Sequence, residues 1–448
     1  MLIIKELCDP SKCNLECIEA CKRVRKDKAP MSYSSGDEFP VVAEKGCTVC
    51  LACVKACPFD AVISDVPAPT EDSITIDRLT PDSERPYEVA YTFKRFPESD
   101  MIFARVGNDP DFENYQRGAY HGAEAMIDRN LPGYGRYEHD LSVAGWKLYN
   151  SRHNVIPDRL EIVDTTSIPT SSSSAELTRE VKHAARVYGA DLVGVANLDH
   201  NWIYSVNRSS EPYKIPKSIN KAIVIAVEMN YEDIATSPAF ASSVATAVGY
   251  SKMAFVEIEL TAFIKRMGYN AIPCGNDIAL SVPLAIDAGL GQFGRHGILI
   301  TKKFGPRVRI AKVLTDMPLD EDSPDLGFCK AVVRFCEVCE KCATACPSQS
   351  IQYGTEHTWS GLTKSNNPGV KKWYINPVSC YNFWIENGSD CSNCISSCPY
   401  NKKDGFLHRM ILWTVRYVPW LNRLIVKMDD LLGYGKQKIP RNPFKRFD

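Results

Sequence analysis

Sixteen of the eighteen cysteines in this chain fall into four groups of four. Two groups share the spacing C-x2-C-x2-C-x3-C-P, and each has a looser partner group beside it in the sequence. The spaced groups are Cys47, Cys50, Cys53 and Cys57, and Cys336, Cys339, Cys342 and Cys346. The partner groups are Cys8, Cys13, Cys17 and Cys21, and Cys380, Cys391, Cys394 and Cys398. This spacing supplies three thiolates to one iron–sulfur cube and the fourth to a neighbouring cube. The sequence therefore predicts four 4Fe–4S clusters in two units that carry single electrons.

Because the fourth cysteine crosses to the neighbouring cube, each predicted cluster draws ligands from both groups of its unit. Four ligand sets follow, each named by its first cysteine. They are the Cys8 set (Cys8, Cys13, Cys17, Cys57), the Cys21 set (Cys21, Cys47, Cys50, Cys53), the Cys336 set (Cys336, Cys339, Cys342, Cys398) and the Cys346 set (Cys346, Cys380, Cys391, Cys394).

Two other uses of cysteine fit the sequence less well. A disulfide scaffold requires secretion, but residues 1–8 lack the charged and apolar regions of a signal peptide. Zinc ribbons also use Cys-x2-Cys pairs, yet they require neither the third and fourth cysteines nor the proline of these groups. The remaining cysteines, Cys274 and Cys329, are expected to be buried, inert thiols.

Length and charge narrow the class of protein further. The 448 residues suggest two or three domains. The net charge of −1 gives no basic field that would attract nucleic acid. The longest apolar run, residues 222–227, suits a buried strand and is too short to cross a membrane. With no export signal in the sequence, we expect a cytoplasmic protein.

The predicted fold is α+β, with a sheet-containing core flanked by two ferredoxin-like units. A proline-rich stretch at 65–69 marks the end of the first unit. The predicted divisions are a first unit at 1–66, a wrapping region at 67–174, a core at 175–325, a second unit at 326–404 and a C-terminal tail at 405–448.

Local patterns predict several elements of the core. Ser173 and Glu176 fit a capping box that opens a helix, which ends at Gly189. A second helix is predicted from about Val248 to Met267, where apolar residues recur at helical spacing. Residues 192–196 and 222–227 read as buried strands, and residues 298–301 and 308–314 as the two arms of a hairpin.

Short blocks in the middle of the chain resemble the reductive dehalogenases in both sequence and order. They include G-Y-S-K-M at 249–253, I-P-C-G-N-D at 272–277 and A-I-D-A-G-L-G-Q-F-G-R-H-G at 285–297. Further blocks are F-G-P-R-V-R at 304–309, T-D-M-P-L at 315–319 and M-D-D-L-L-G-Y-G at 428–435. The resemblance runs from about residue 75 to the end and includes the second cysteine unit.

This resemblance implies a nitroreductase-like core that binds a cobamide, with two 4Fe–4S clusters feeding it electrons. By the matching motif, Tyr250 would donate a proton, with Arg309 and Asn276 beside it; Arg295 and Lys312 are further candidates for the basic role. The resemblance and the glycine-rich blocks suggest cobamide contacts from Ser281, Gly291, Gly294, Arg295 and His296. No D-x-H-x-x-G motif surrounds any histidine, so the cobamide is expected in its base-off form.

The expected reaction replaces a carbon-bound halogen by hydrogen in a small organohalide. The first cysteine unit departs from the family pattern and suggests a soluble electron donor, such as a ferredoxin, a flavodoxin or a reductase. A homodimer is possible. Two alternatives stay open: a cobamide reductase of a non-halogenated substrate, like the epoxyqueuosine reductases, and a pure electron-transfer protein.

Overall fold

The structure is a computed structural model that describes residues 1–25, 29–34, 36–43, 47–63, 85–156, 159–162 and 173–440. The predicted boundary at 65–69 and the serines at 171 and 172 lie outside the described residues. Within the described ranges, no helix combines the length and the apolar character needed to cross a membrane.

The first unit is built from two short helices and two small antiparallel ribbons. Its elements are β1 (Leu2–Ile3), α1 (Glu16–Arg25), β2 (Met31–Ser32), β3 (Val41–Val42), α2 (Ala52–Ala56) and β4 (Val62–Ile63). Strand β1 pairs with β4, and β2 pairs with β3. A small core of Ile18, Met31 and Val62 includes the buried thiols of Cys17 and Cys21, so the cysteines are part of the packing of this unit.

Four helices follow and lie against the rest of the chain. They are α3 (Ile102–Asn108), α4 (Ala123–Ile127), α5 (Arg136–Gly145) and α6 (Lys147–Val155). Tyr120 and Trp146, which come from this region, line an aromatic cavity between these helices and the core. The region therefore contributes one wall of that cavity.

The core contains a four-stranded antiparallel sheet with the strand order β5-β6-β10-β7. Its elements are α7 (Ser174–Val187), β5 (Leu192–Asn197), β6 (Lys221–Glu228), α8 (Tyr231–Ile234), α9 (Phe240–Arg266), β7 (Ala271–Cys274), α10 (Ser281–Asp287), β8 (Gly291–Phe293), β9 (Leu299–Thr301) and β10 (Val308–Thr315).

The sheet is buried on both faces. On β6, Ala222 and Val224 face a core that contains Trp202 and Leu284. The alternate residue Ile223 faces a second core. That second core is formed with α7 and α9, and it includes Leu177, Val181, Val256 and Leu260. Because successive side chains of a strand point to opposite faces, an entirely apolar strand is what a sheet covered on both sides requires.

The structure confirms the first predicted helix and both predicted strands. Ser173 caps α7, and Ser173 and Glu176 form both halves of the capping box. Gly189 follows the helix with a φ of +107°, which favours glycine. The second predicted helix exists but begins earlier, at Phe240.

The predicted hairpin is wrong. Strand β9 pairs with β8, whereas β10 lies in the main sheet between β6 and β7. The two strands are consecutive in the chain but belong to different sheets. A tight loop, in which Thr301 bridges Gly305, turns the chain from one sheet to the other.

The second unit and the tail are helical. Their elements are α11 (Leu326–Val338), α12 (Lys341–Thr344), α13 (Pro377–Asn387), α14 (Asn393–Ser396), α15 (Phe406–Tyr417) and α16 (Asn422–Leu431). Val415 of α15 and Ile425 of α16 pack with Phe335 of α11 in one apolar cluster. The tail therefore covers the side of the second unit that carries Cys336 and Cys398.

The capping box of α7 is open to a direct test. Replacing Ser173 with alanine removes the acceptor for the Glu176 amide and should lower stability by about 1 kcal/mol. Thermal unfolding of the variant measures the loss. Ser209→Ala, at an exposed loop serine, is the matched control, and equal melting temperatures for the two variants would contradict the assignment.

Candidate active site

An aromatic cavity of about 460 Å³ lies where α9, β10 and α13 meet helices α5 and α6. Its aromatic lining is Phe103, Tyr120, Trp146, Tyr149, Tyr250, Tyr381 and Trp384. Its polar lining is Asn150, Arg208, Thr246, Asn276, Arg309 and Asp390. A mostly aromatic wall with a few convergent polar groups is the usual form of a small-molecule site.

Tyr250 lies at the centre of the polar wall. The Asn276 side-chain amide donates to its phenol oxygen over 2.6 Å. The rings of Trp146 and Tyr149 pack against it, each with its centroid 4.8 Å away. Because the amide occupies the phenol oxygen as a donor, the O–H of Tyr250 is left to donate into the cavity.

Arg309 extends from β10 to the ring of Tyr250, with its guanidinium carbon 4.7 Å from the ring centroid. Its Nη2 donates to Thr246 over 3.1 Å, while its buried Nε has no partner among the described residues. Gly249 makes this approach possible, because a Cβ there would lie 3.2 Å from Cγ of Arg309. The structure thus brings the predicted residues Tyr250, Asn276 and Arg309 together.

A chain of hydrogen bonds fixes the aromatic side of the cavity. Trp146 donates to Tyr120 over 2.9 Å, Tyr120 contacts Ser142 at 2.8 Å, and Ser142 donates to Ser243 over 2.8 Å. Ser243 in turn donates to the carboxylate of Asp390. All donors can therefore point toward one buried carboxylate, which holds Trp146 against Tyr250.

Ionisable groups are buried beneath the site. Arg159 and Arg152 donate to the Asp277 carboxylate over 2.7 and 3.2 Å. Burial alone would raise the pKa of Asp277, but these two cations hold it down at about 2. Glu257 has the opposite balance, since burial and the charge of Asp277 raise its pKa to about 8. Burial lowers the pKa of the neighbouring Lys312.

The cysteines of the first unit lie together as the crossed pattern predicts. Thiols of the Cys21 set line one small cavity. After burial, the charge of Cys57 contributes most to the raised pKa of both Cys8 and Cys17. Burial, and then the charges of Cys50 and Cys21, raise the pKa of Cys53 to about 12. Among the described residues, no three His, Cys, Asp or Glu side chains converge on a single ion; the thiols surround wider spaces.

The second unit shows the same crossed arrangement. The Cys336 set lines a small cavity together with Tyr400. Cys380 has the other three thiols of the Cys346 set as its charged neighbours. Burial and Cys346 raise the pKa of Cys394 to about 12, and the charge of Arg309 opposes this shift. The Cys346 set therefore lies on the side of the aromatic cavity.

Two predicted cobamide contacts lie by the Cys336 set instead. Arg295 is buried and donates to the carbonyl oxygens of Cys336, Cys339 and Gln352. His296 is buried beside the same thiols, and burial lowers its pKa to about 4. The reason is that β8 packs on α11, which carries this loop away from Tyr250. Arg309, rather than Arg295 or Lys312, is thus the cation at Tyr250.

The other three predicted contacts are also absent from the described wall of the aromatic cavity. The space beside Gly291 is taken by the carbonyl of Ile300, and that beside Gly294 by Ile300 and His296. Ser281 accepts from Lys312 over 2.9 Å. These glycines therefore allow the chain to approach itself, and their contact with a macrocycle stays a prediction.

Residues 335–402 match the family model for a 4Fe-4S dicluster domain. Over 353 residues the chain is 35% identical to the tetrachloroethene reductive dehalogenase of Sulfurospirillum multivorans, and this covers 68% of the chain and 70% of that relative. The chain belongs to the reductive dehalogenase family. Membership confirms the resemblance drawn from the motifs and makes the chain an oxidoreductase. Matches to epoxyqueuosine reductases cover only 26% and 31% of it.

Solved structures of reductive dehalogenases share the fold. The catabolic enzyme NpRdhA, in complex with 3-bromo-4-hydroxybenzoic acid, aligns with a TM-score of 0.65 at 23% identity over 81% of this chain. Another, whose structure suggests a mechanism for B12-dependent dehalogenation, aligns with a TM-score of 0.63 at 22% identity over 77% of this chain. The chain spans about half the length of these two proteins, at 49% and 47%.

The raised pKa of Glu257 predicts that the stability of the protein depends on pH. Its folded pKa is raised, so the folded state keeps a proton that the unfolded chain loses above pH of about 4.3. Stability should therefore fall as pH rises from about 5 to about 8. In Glu257→Gln this fall should disappear. Thermal melts across the range test it, with the exposed Glu180→Gln as the control; an unchanged slope in Glu257→Gln would refute the assignment.

Proposed function

We propose that this chain uses a cobamide, bound in the aromatic cavity, to replace the halogen of a small organohalide by hydrogen. The observation that carries the proposal is the position of Tyr250. Its O–H faces an aromatic cavity, between Asn276 and Arg309, beside the Cys346 set. Family membership supports the reaction class.

The cavity suits the proposed cofactor. Its lining is mostly aromatic with a few convergent polar groups, which is the usual lining of a small-molecule or cofactor site. The buried Nε of Arg309 has no protein partner among the described residues and is available to a bound polar group. Thr246, Asn276, Arg309 and the aromatic wall would hold the group, which when bound supplies a strongly reducing cobalt centre.

Tyr250 would supply the proton. Two electrons and one proton convert R–X into R–H and a halide ion, so a donor must lie beside the carbon that loses the halide. The phenol O–H of Tyr250 can donate into the cavity because Asn276 already donates to its oxygen. General acid groups need such hydrogen-bond reach to the acceptor atom.

Arg309 and Asn276 would stabilise the phenolate that remains. The guanidinium lies over the Tyr250 ring, and a cation near a phenolate favours the charged form. The Asn276 N–H strengthens its bond as charge develops on the oxygen. The rings of Trp146 and Tyr149 exclude water from the same surface, which strengthens both interactions.

Four 4Fe–4S clusters, one in each cysteine set, would deliver the electrons. The dicluster match supports the two sets of the second unit. The crossed grouping of thiols in the first unit supports the other two. An aromatic cavity with a positioned phenol favours a catalyst over a pure electron carrier.

Removing the Tyr250 hydroxyl tests its role. Tyr250→Phe should lower the rate of halide release by about 10²- to 10⁴-fold, the usual contribution of a general acid. Ion chromatography of released halide measures the rate. Tyr91→Phe, at an exposed tyrosine, should keep full activity, and full activity in Tyr250→Phe would exclude the phenol as proton donor.

Reconstitution tests the cofactors and the reaction. Anaerobic loading should give about sixteen iron atoms per chain, four for each cluster. With cobamide and reductant, the loaded protein should release halide from some members of a panel of aryl and alkenyl halides. Protein loaded with iron but without cobamide is the control. Absence of release from fully loaded protein over the whole panel would refute the proposed reaction.

A further inference from the structure

The first unit is joined to the second by a group of hydrogen bonds, defined here as the seam. Tyr353 N donates to the carbonyl of Cys50 over 2.9 Å. The Thr48 hydroxyl donates to the carbonyl of Gln349 over 2.8 Å. Arg25 donates to the carbonyl of Ser348 over 3.2 Å. The seam thus joins segment 48–50 and Arg25 to segment 348–353.

On its first side, the seam lies within the Cys21 set. Cys50 is a member of that set and itself accepts one of the hydrogen bonds. Arg25 follows Cys21 by one helical turn, and its charge favours the thiolates of both Cys21 and Cys50. Thr48 is buried. The junction is therefore buried at Thr48 and contains a cluster ligand.

On its second side, the seam leads directly to Cys346. Gln349 donates to the carbonyl of Cys346 over 2.6 Å. The sulfur of Cys346 lies 3.4 Å from the Ser348 hydroxyl and accepts from Ser350 N over 3.3 Å. The Tyr353 hydroxyl donates to the Gln349 side chain over 3.5 Å. Tyr353 therefore contacts Cys50 through its main-chain N–H and, through its side chain, the residue that bonds to Cys346.

The Cys346 set is also the one beside the aromatic cavity. Trp384 and Asp390 line the cavity. Cys380 lies on the same helix as Trp384, α13, and Cys391 directly follows Asp390. The Cys336 set instead lies beside Arg295 and the tail. The first unit approaches that set through a different contact, the ion pair of Lys55 with Glu340.

We propose that the seam is the junction through which the first unit reduces the second, and that each electron arrives at the Cys346 set without passing the Cys336 set. This inference rests on the proposed clusters. In each transfer, the group held by the Cys21 set loses one electron and the group held by the Cys346 set gains it. Two transfers supply the two electrons that one halide replacement consumes.

The Cys8 set would then be the receiving end for a soluble one-electron donor, such as a reduced ferredoxin. Cys8, Cys13 and Cys57 are only half-buried, which leaves this set accessible to a partner. Because both units belong to one chain, the Cys346 set stays close to the first unit, and transfer between the units does not depend on a collision.

Rapid mixing of the iron-loaded full chain with a reduced 4Fe–4S ferredoxin tests the route. The fall in visible absorbance reports reduction of all sets. In Tyr353→Leu and in Thr48→Val, the absorbance change from reduction of the first unit should keep its rate. The absorbance change from reduction of the second unit should slow several-fold. Thr48→Ser, which keeps the hydroxyl, should restore the rate. Lys55→Ala should match the unaltered chain.

Dithionite, a small reductant added in excess, should reduce each variant to the full extent, which would show that the clusters are intact. Halide release driven by reduced methyl viologen tests the proposed function separately, because that donor does not need the seam. Unchanged rates in Tyr353→Leu and Thr48→Val would overturn the proposal. An equal slowing in Lys55→Ala would also overturn it, since electrons would then enter by the Cys336 set.

Discussion

The antiparallel pairing of β10 with both β6 and β7 determines where the groups of the active site lie. The register aligns Lys312 with Cys274, so Lys312 can donate to the carbonyl of Gly275. That bond fixes the turn that presents Asn276. Three residues earlier on the same strand, Arg309 reaches Tyr250 on α9. One strand thus sets the positions of both partners of the phenol.

This arrangement places ionisable groups in a buried position, where an unpaired charge is destabilising. Removing one partner from a buried ion pair is strongly destabilising, typically by about 3–5 kcal/mol. Here Arg152 and Arg159 both form ion pairs with Asp277. Glu257 has a more distant contact, 4.0 Å from Arg152, and its raised pKa favours the neutral form. Beneath the site, Asp277 is therefore held as a carboxylate, whereas Glu257 favours its neutral, protonated form.

Features determined by local chemistry could be predicted from the sequence. The capping box at Ser173 is one, and the crossed grouping of cysteines is another. Tyr250, Asn276 and Arg309 were accessible because each belongs to a recognisable block. Trp146 and Asp390 were not, since a hydrogen-bond chain between distant segments leaves no periodic signal. The false hairpin has a similar cause.

Strand β8 is short and begins with Gly291, so it carries almost no strand signal. Because its partner β8 gives no clear pattern, the sequence favours pairing β9 with the next apolar segment along the chain. The cobamide contacts predicted near it stay predictions, because a glycine alone does not identify the group that approaches it. Glycine shows only that something approaches closely, and here the approaching group is the carbonyl of Ile300.

The seam joins its two units largely through main-chain carbonyls. Cys50, Gln349 and Ser348 each accept through the backbone, and a carbonyl is present whatever the side chain is. The donors are more specific, because two of the three are the side chains of Thr48 and Arg25 in the first unit. Substitutions at residues 348 and 349 of the second unit would therefore keep both acceptors, whereas a substitution at Thr48 or Arg25 would remove a donor.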